Sequence, residues 1–136
     1  MRFKLMDRVL ERDGERLRAI KLVSMAEEYL ADHFESFPVL PGVFMLEALV
    51  QTAQALEAED GVTEPRVIGR VRALKYGALV RPGDRLWLEV ERRPGEGPVR
   101  EFKAKAQVSH PKADGSFSEP VTAASGRFEL RPLETA

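Results

Sequence analysis

The stretch Pro41-Gly42-Val43-Phe44-Met45-Leu46-Glu47-Ala48-Leu49-Val50-Gln51-Thr52-Ala53-Gln54-Ala55-Leu56-Glu57 decides the fold. Proline is accepted at a helix start and excluded from its interior, so the Pro41-Gly42 step marks the entry to a helix predicted from Gly42 to Glu57. Val43, Phe44, Met45, Leu46, Ala48, Leu49, Val50, Ala53, Ala55 and Leu56 cover nearly every face of it. A helix that is apolar all round is a buried helix. The exceptions, Glu47, Gln51 and Gln54, fall at i, i+4 and i+7 and so share one side. A buried helix with one polar stripe is the centre from which the rest of the chain is read.

The remainder supplies strands to cover that helix. Met6 to Leu10 and Leu17 to Val23 read as two strands around a turn at Asp13-Gly14. Four more follow: Pro65 to Ala73 with Leu74 to Tyr76 continuing, Arg85 to Glu91, Glu101 to Ser109, and Val121 to Leu130. In Glu101 to Ser109, Phe102, Ala104, Ala106 and Val108 alternate with polar neighbours, which is the period of a strand buried on one face. Arg81-Pro82-Gly83-Asp84 and Pro94-Gly95-Glu96-Gly97 are turns. Ser24 to Leu30 reads as a short helix, with Ser24 as N-cap and Glu27 completing a capping box. His33 to Leu40 reads as a loop. Successive strands joined by short turns favour an antiparallel sheet. The expectation is an α+β fold, a curved antiparallel sheet wrapped around one long buried helix, in a single domain spanning 1–136.

Composition narrows the chemistry. The chain of 136 residues is 43% hydrophobic and 32% charged, which is globular rather than disordered. Its formal net charge of -1 does not suggest a nucleic-acid binder. It has no cysteine, which excludes disulfides, thiolate nucleophiles and cysteine-ligated metal sites. No apolar stretch reaches membrane-spanning length, and Met1 to Arg8 has no signal-peptide core, so a cytoplasmic location is expected.

Of the two histidines, His33 stands in the aromatic- and proline-rich loop just before the long helix. An imidazole, a carboxyl at Glu47 that the pattern buries, and a free helix N-terminus together suit proton transfer on a carbonyl compound. His110, ahead of Pro111, reads as an exposed loop residue.

The segment His33 to Gln51 resembles the beta-hydroxyacyl-acyl-carrier-protein dehydratases of the hot-dog fold. The family's signature has the form His-Phe-Pro-Gly-x-Pro-Val-Met-Pro-Gly-Val-Leu-x-x-Glu-Ala-x-x-Gln. Here it runs His33-Phe34, then Pro38-Val39-Leu40-Pro41-Gly42-Val43, then Glu47-Ala48 and Gln51, with the family's histidine-to-carboxylate spacing. Met6-Asp7-Arg8-Val9 is similar to its early Val-Asp-Arg-Val strand. Lys75-Tyr76 with Val80-Arg81-Pro82-Gly83-Asp84-Arg85-Leu86 is similar to its Lys-Phe…Val-x-Pro-Gly-Asp-x-Leu segment. A glutamate at the acid position fits the dehydratase branch better than the dehydratase/isomerase branch. The sequence departs from the family where Pro-Gly becomes Glu35-Ser36 and where Asp32 replaces the glycine before the histidine. Acidic neighbours favour imidazolium over the free base. Turned to solvent, they are screened and matter little.

The resemblance implies dehydration of 3-hydroxyacyl thioesters to trans-2-enoyl thioesters, in fatty-acid or related lipid synthesis, without a cofactor or metal. It assigns the base to His33 and the acid to Glu47. Gly42 and Val43 would present backbone N–H groups to the thioester oxygen, Gly42 also letting substrate approach the backbone. Gln51, one turn beyond Glu47, is expected to orient its carboxyl. Phe34, Phe37, Leu40, Phe44 and Met45 are the candidate lining of an acyl tunnel. In the family the histidine and the acid meet across a dimer interface, so a homodimer is expected, with a hexamer as a possible further assembly. The expected partner is an acyl-carrier protein. Arg70, Arg72, Lys75, Arg81 and Arg85 are a basic patch for it or the solvated face of a sheet. The alternatives are a hot-dog acyl thioesterase, which shares the fold but delivers water to the carbonyl, and a non-catalytic acyl-carrier or lipid-binding subunit.

Overall fold

The computed structural model describes residues 5–24 and 40–133. In chain order the elements are β1 (Arg8–Asp13), β2 (Arg16–Leu22), α1 (Gly42–Glu59), β3 (Arg66–Tyr76), β4 (Arg85–Arg92), β5 (Arg100–Ser109) and β6 (Val121–Pro132). The short helix read over Ser24 to Leu30 lies, beyond Ser24, outside the described residues. All six strands join one sheet in the order β1-β2-β4-β5-β6-β3, and every pairing is antiparallel.

α1 starts behind Pro41, whose carbonyl accepts the N–H of Phe44 and of Met45. It runs two residues past the expected end, to Glu59, and stops at Asp60-Gly61. It packs against β2, β4, β5, β6 and β3, so the sheet curves around it. Small residues permit this approach: Ala48 and Ala53 on the helix, Ala104, Ala106, Ala123 and Ala124 on the sheet, all buried. Larger side chains fill the remaining space. Phe102 and Phe128, opposite each other on β5 and β6, stack with centroids 5.7 Å apart. Leu17, Leu86, Leu88, Val90 and Leu130 complete the inner face with Leu49 and Leu56 from the helix.

The far end of α1 is held by charge. Glu57 is 1% exposed, and its Oε2 accepts from Arg92 Nη1 at 3.0 Å. Arg92 also pairs with Glu15 and Asp60, and Arg12 pairs with Asp60 at 2.8 Å. The helix C-terminus is thereby tied to the β1–β2 hairpin and to β4.

At the other end, two connections bring α1 to the sheet. The N–H of Leu40 donates to the Val80 carbonyl at 2.8 Å. The Tyr76 ring, at the end of β3, lies over Gly42: a Cβ there would stand 2.7 Å from Tyr76 Cζ and 2.8 Å from Cε1. Any larger residue at Gly42 must displace that ring.

Candidate active site

Glu47 and Gln51 come together as the i, i+4 spacing requires. Gln51 Nε2 donates to Glu47 Oε1 at 3.5 Å, and Gln51 Oε1 accepts the N–H of Leu5 at 2.7 Å. The second bond fixes the sense of the amide: with its oxygen committed to Leu5, its NH₂ faces the carboxyl. Gln54, the third residue of the stripe, turns away and donates to the Arg66 carbonyl at 2.9 Å, fastening the helix to β3. Glu47 is half-buried in the single chain rather than fully buried as the apolar pattern suggested, because among residues 42–47 in the first turns only Met45 is buried.

The helix N-terminus lies one turn before Glu47. The first N–H groups of a helix have no intrahelical acceptor, and the dipole adds partial positive charge there. Val43 is 66% exposed at this end, and Gly42 is half-buried beneath the Tyr76 ring. The missing side chain of Gly42 is therefore used by Tyr76, which the sequence reading had not connected with the site. The pattern Lys75-Tyr76 before a turn identified the strand end, but not what the ring covers.

His33 lies outside the described residues, as do Phe34 and Phe37 and the flanking Asp32 and Glu35. Of the remaining tunnel candidates, Leu40 and Met45 are buried in the core and Phe44 is half-buried against it. A narrow apolar crevice does open nearby between α1 and the β3–β6 pair, lined by Leu46, Leu49, Val71, Leu74 and Phe128. Of the described candidates, none of Leu40, Phe44 and Met45 lines it.

The five basic residues do not form one patch. Arg72 pairs with Glu129 at 3.6 Å. Lys75 faces a groove across the outer sheet surface with Lys103, Lys105 and Arg127. Arg85 lies over the Phe117 ring at 3.8 Å, and Arg81 belongs to the turn at the start of β4. Arg72 and Lys75 share the outer face of β3, with a register shift between them, and the break before β4 carries Arg81 and Arg85 away from that face. His110 also differs from expectation. Its ring is not simply a loop group in solvent: Nδ1 stands 2.9 Å from Oδ2 of the buried Asp84. The two residues are 26 apart in sequence, and only the β4–β5 pairing, which sets Arg85 against Ser109, brings them together.

Among the described residues one helix is embraced by a curved six-stranded antiparallel sheet; this is the hot-dog fold, and solved structures match it. The dehydratase heterocomplex ApeI:P from Xenorhabdus doucetiae superposes with a TM-score of 0.70 at 14% identity, over 96% of this chain and 83% of that one. A hexameric hotdog fold thioesterase of Campylobacter jejuni superposes with a TM-score of 0.66 at 11% identity, over 85% of this chain and 80% of that one. Identities this low carry the fold alone. Sequence carries more. Residues 1–113 match the model of the FabA-like domain. The 3-hydroxyacyl-[acyl-carrier-protein] dehydratase FabZ of Oceanobacillus iheyensis is 38% identical over 109 residues, 78% of each chain. The FabZ of Bacillus pumilus is 39% identical over 109 residues, 78% of this chain and 76% of that one. The chain belongs to the FabA-like family, among relatives of the FabZ dehydratases.

Proposed function

We propose that the chain is a 3-hydroxyacyl-acyl-carrier-protein dehydratase, a hydro-lyase that takes 3-hydroxyacyl thioesters to trans-2-enoyl thioesters. The observation that carries the reading is the Glu47 carboxyl, held by Gln51 one turn inside the α1 N-terminus, in a chain more than a third identical to FabZ dehydratases over most of its length.

The chemistry follows from what dehydration demands. His33 takes the proton alpha to the thioester carbonyl. Charge then develops on the thioester oxygen, where the N–H groups of Gly42 and Val43 and the helix dipole stabilise it. The carbon–carbon double bond forms as the bond to the beta hydroxyl breaks. Glu47 gives that oxygen its proton, directly or through water, so that water leaves rather than hydroxide. A positioned acid or base contributes roughly 10²–10⁴-fold and one oxyanion donor roughly 10²–10³-fold. Gln51 holds the Glu47 carboxyl toward the reacting centre, and Phe34, Phe37, Leu40, Phe44 and Met45 contact the acyl chain.

The reading includes a homodimer with His33 and Glu47 contributed by different subunits. Two features support it. Among the described residues β3 is an edge strand of 11 residues, paired on one side only, with β6. Ile68, Val71, Tyr76 and Leu79, on or just beyond it, leave apolar surface exposed, as does Val43 at the helix start. A long apolar edge is what a second strand covers. Residues 1–136 act as one domain, with an acyl-carrier protein delivering substrate, in cytoplasmic fatty-acid or related lipid synthesis. Among the described residues no helix is long and apolar enough to cross a membrane.

The test is product analysis. Purified protein given a crotonyl thioester should add water, raising the product mass by that of water while free thiol stays at background. Thiol release without hydration would make it a thioesterase, and binding with neither reaction would make it a non-catalytic subunit.

A further inference from the structure

The turn Arg81-Pro82-Gly83-Asp84 is tied by its own side chain: the N–H of Arg81 donates to Asp84 Oδ2 at 2.8 Å, and the N–H of Asp84 to the Arg81 carbonyl at 3.0 Å. Gly83, at φ 95, supplies the left-handed residue the turn needs. The backbone beside this turn holds the chain on both sides of residues 25–39. On one side, Val23 N–H donates to the Asp84 carbonyl at 3.1 Å and Gly83 N–H to the Val23 carbonyl at 2.8 Å. On the other, Leu40 N–H donates to the Val80 carbonyl at 2.8 Å. The stretch that carries His33 is thus anchored, before and after, on five consecutive residues, Val80 to Asp84.

His110 braces that anchor from outside. Its Nδ1 stands 2.9 Å from the same Asp84 Oδ2, so one carboxylate oxygen meets both the turn and the ring. The ring is held in turn by its own backbone. His110 N–H donates to Ser118 Oγ at 2.9 Å, and Ser118 N–H donates to the His110 carbonyl at 2.8 Å. Asp84 is 3% exposed, and a carboxylate that deep needs its donors. Nothing in the proton transfers assigned above uses this pair, and β4 and β5 are already paired beneath it without its help.

We propose that Asp84 and His110 are positioning residues: together they hold the Val80–Asp84 turn in the one arrangement that anchors both ends of the His33 segment, and so set where His33 meets the substrate. This rests on the role given to His33 above. Because the brace acts on placement and not on substrate contact, its loss should lower kcat more than it raises KM.

The test uses the full-length protein and its His110→Ala, His110→Asn and Asp84→Asn variants. His110 is 41% exposed, so its variants can fold. Amide exchange read by mass spectrometry should rise about tenfold across residues 24–39 in His110→Ala and Asp84→Asn, while peptides of β4, β5 and α1 keep their wild-type rates. Hydration of a crotonyl thioester should lose about tenfold in kcat with KM near wild type. His110→Asn, which can offer a donor near the position of Nδ1, should recover much of both. Exchange in 24–39 that stays at wild-type rate, or that rises equally in β4 and β5, would overturn the proposal. The exchange readout does not depend on turnover, so a protein inactive as a dehydratase would contradict the functional reading without deciding this one.

Discussion

Gln51 donates to Glu47 across one helical turn while its own oxygen accepts from the backbone of Leu5. The candidate acid is therefore not merely near the helix start; an amide tied to the chain ahead of β1 sets its orientation. Gln51→Ala should lower kcat for enoyl thioester hydration by about tenfold with little change in KM, because it frees the carboxyl without removing it. Steady-state kinetics check this. A variant with wild-type kcat would reduce Gln51 to a structural bond with Leu5.

The packing of Tyr76 over Gly42 predicts a coupled pair. Gly42→Ala places a methyl within 2.7 Å of Tyr76 Cζ and should destabilise by about 1 kcal/mol. In a Tyr76→Ala background the same change should cost nothing. Urea unfolding of the four proteins measures the coupling, and additive effects would mean the ring yields freely.

If His33 and Glu47 act from different subunits, two dead proteins make a live one. His33→Ala and Glu47→Gln should each be inactive alone. After subunit exchange in equal amounts, half the dimers are mixed and each holds one intact site, so about a quarter of wild-type activity should return. No recovery after verified exchange would place both groups in one chain.

Acid should loosen the far end of α1. Hydrogen bonds from Arg12 and then Arg92 hold the Asp60 carboxyl at about 2, below its ordinary 3.8, and Arg92 lowers Glu15 in the same sense. A carboxylate whose folded value lies below its unfolded one stabilises the fold above the unfolded value. That contribution is then lost as pH falls from about 3.8 toward about 2. Wild type and Asp60→Asn should differ in urea midpoint at neutral pH and converge across that window. A constant difference at all pH values would contradict the assignment.

Much of the fold was legible because its signals are local. The Pro41-Gly42 entry, the alternation of Phe102, Ala104, Ala106 and Val108, and the Asp13-Gly14 turn each follow from a few neighbouring residues, and the helix start and β5 stand where they put them. β1, by contrast, runs Arg8–Asp13 rather than Met6 to Leu10, because its pairing with β2 continues up to the turn. The sheet order was not legible. β3 follows the helix yet pairs with β6 at the edge, a choice made by packing over the whole core. The same division runs through the site. Glu47 and Gln51 are one turn apart, so their pairing was readable. Glu57 enters the sequence analysis only as the expected helix end, and its burial depends on Arg92 and Arg100 arriving from β4 and β5. His110 and Asp84 likewise meet only through strand register. The relation of Glu47 to His33 lies outside the described residues, and the chemistry must test it.

The most direct measurement is hydration of a crotonyl thioester on the acyl-carrier protein, followed by loss of enoyl absorbance, in wild type, His33→Ala and Glu47→Gln. The account predicts turnover in wild type and a loss of at least about a hundredfold in each variant, the low end for removing a positioned acid or base. Turnover that survives either substitution, in protein that remains folded, would contradict the assignment of His33 and Glu47 as base and acid.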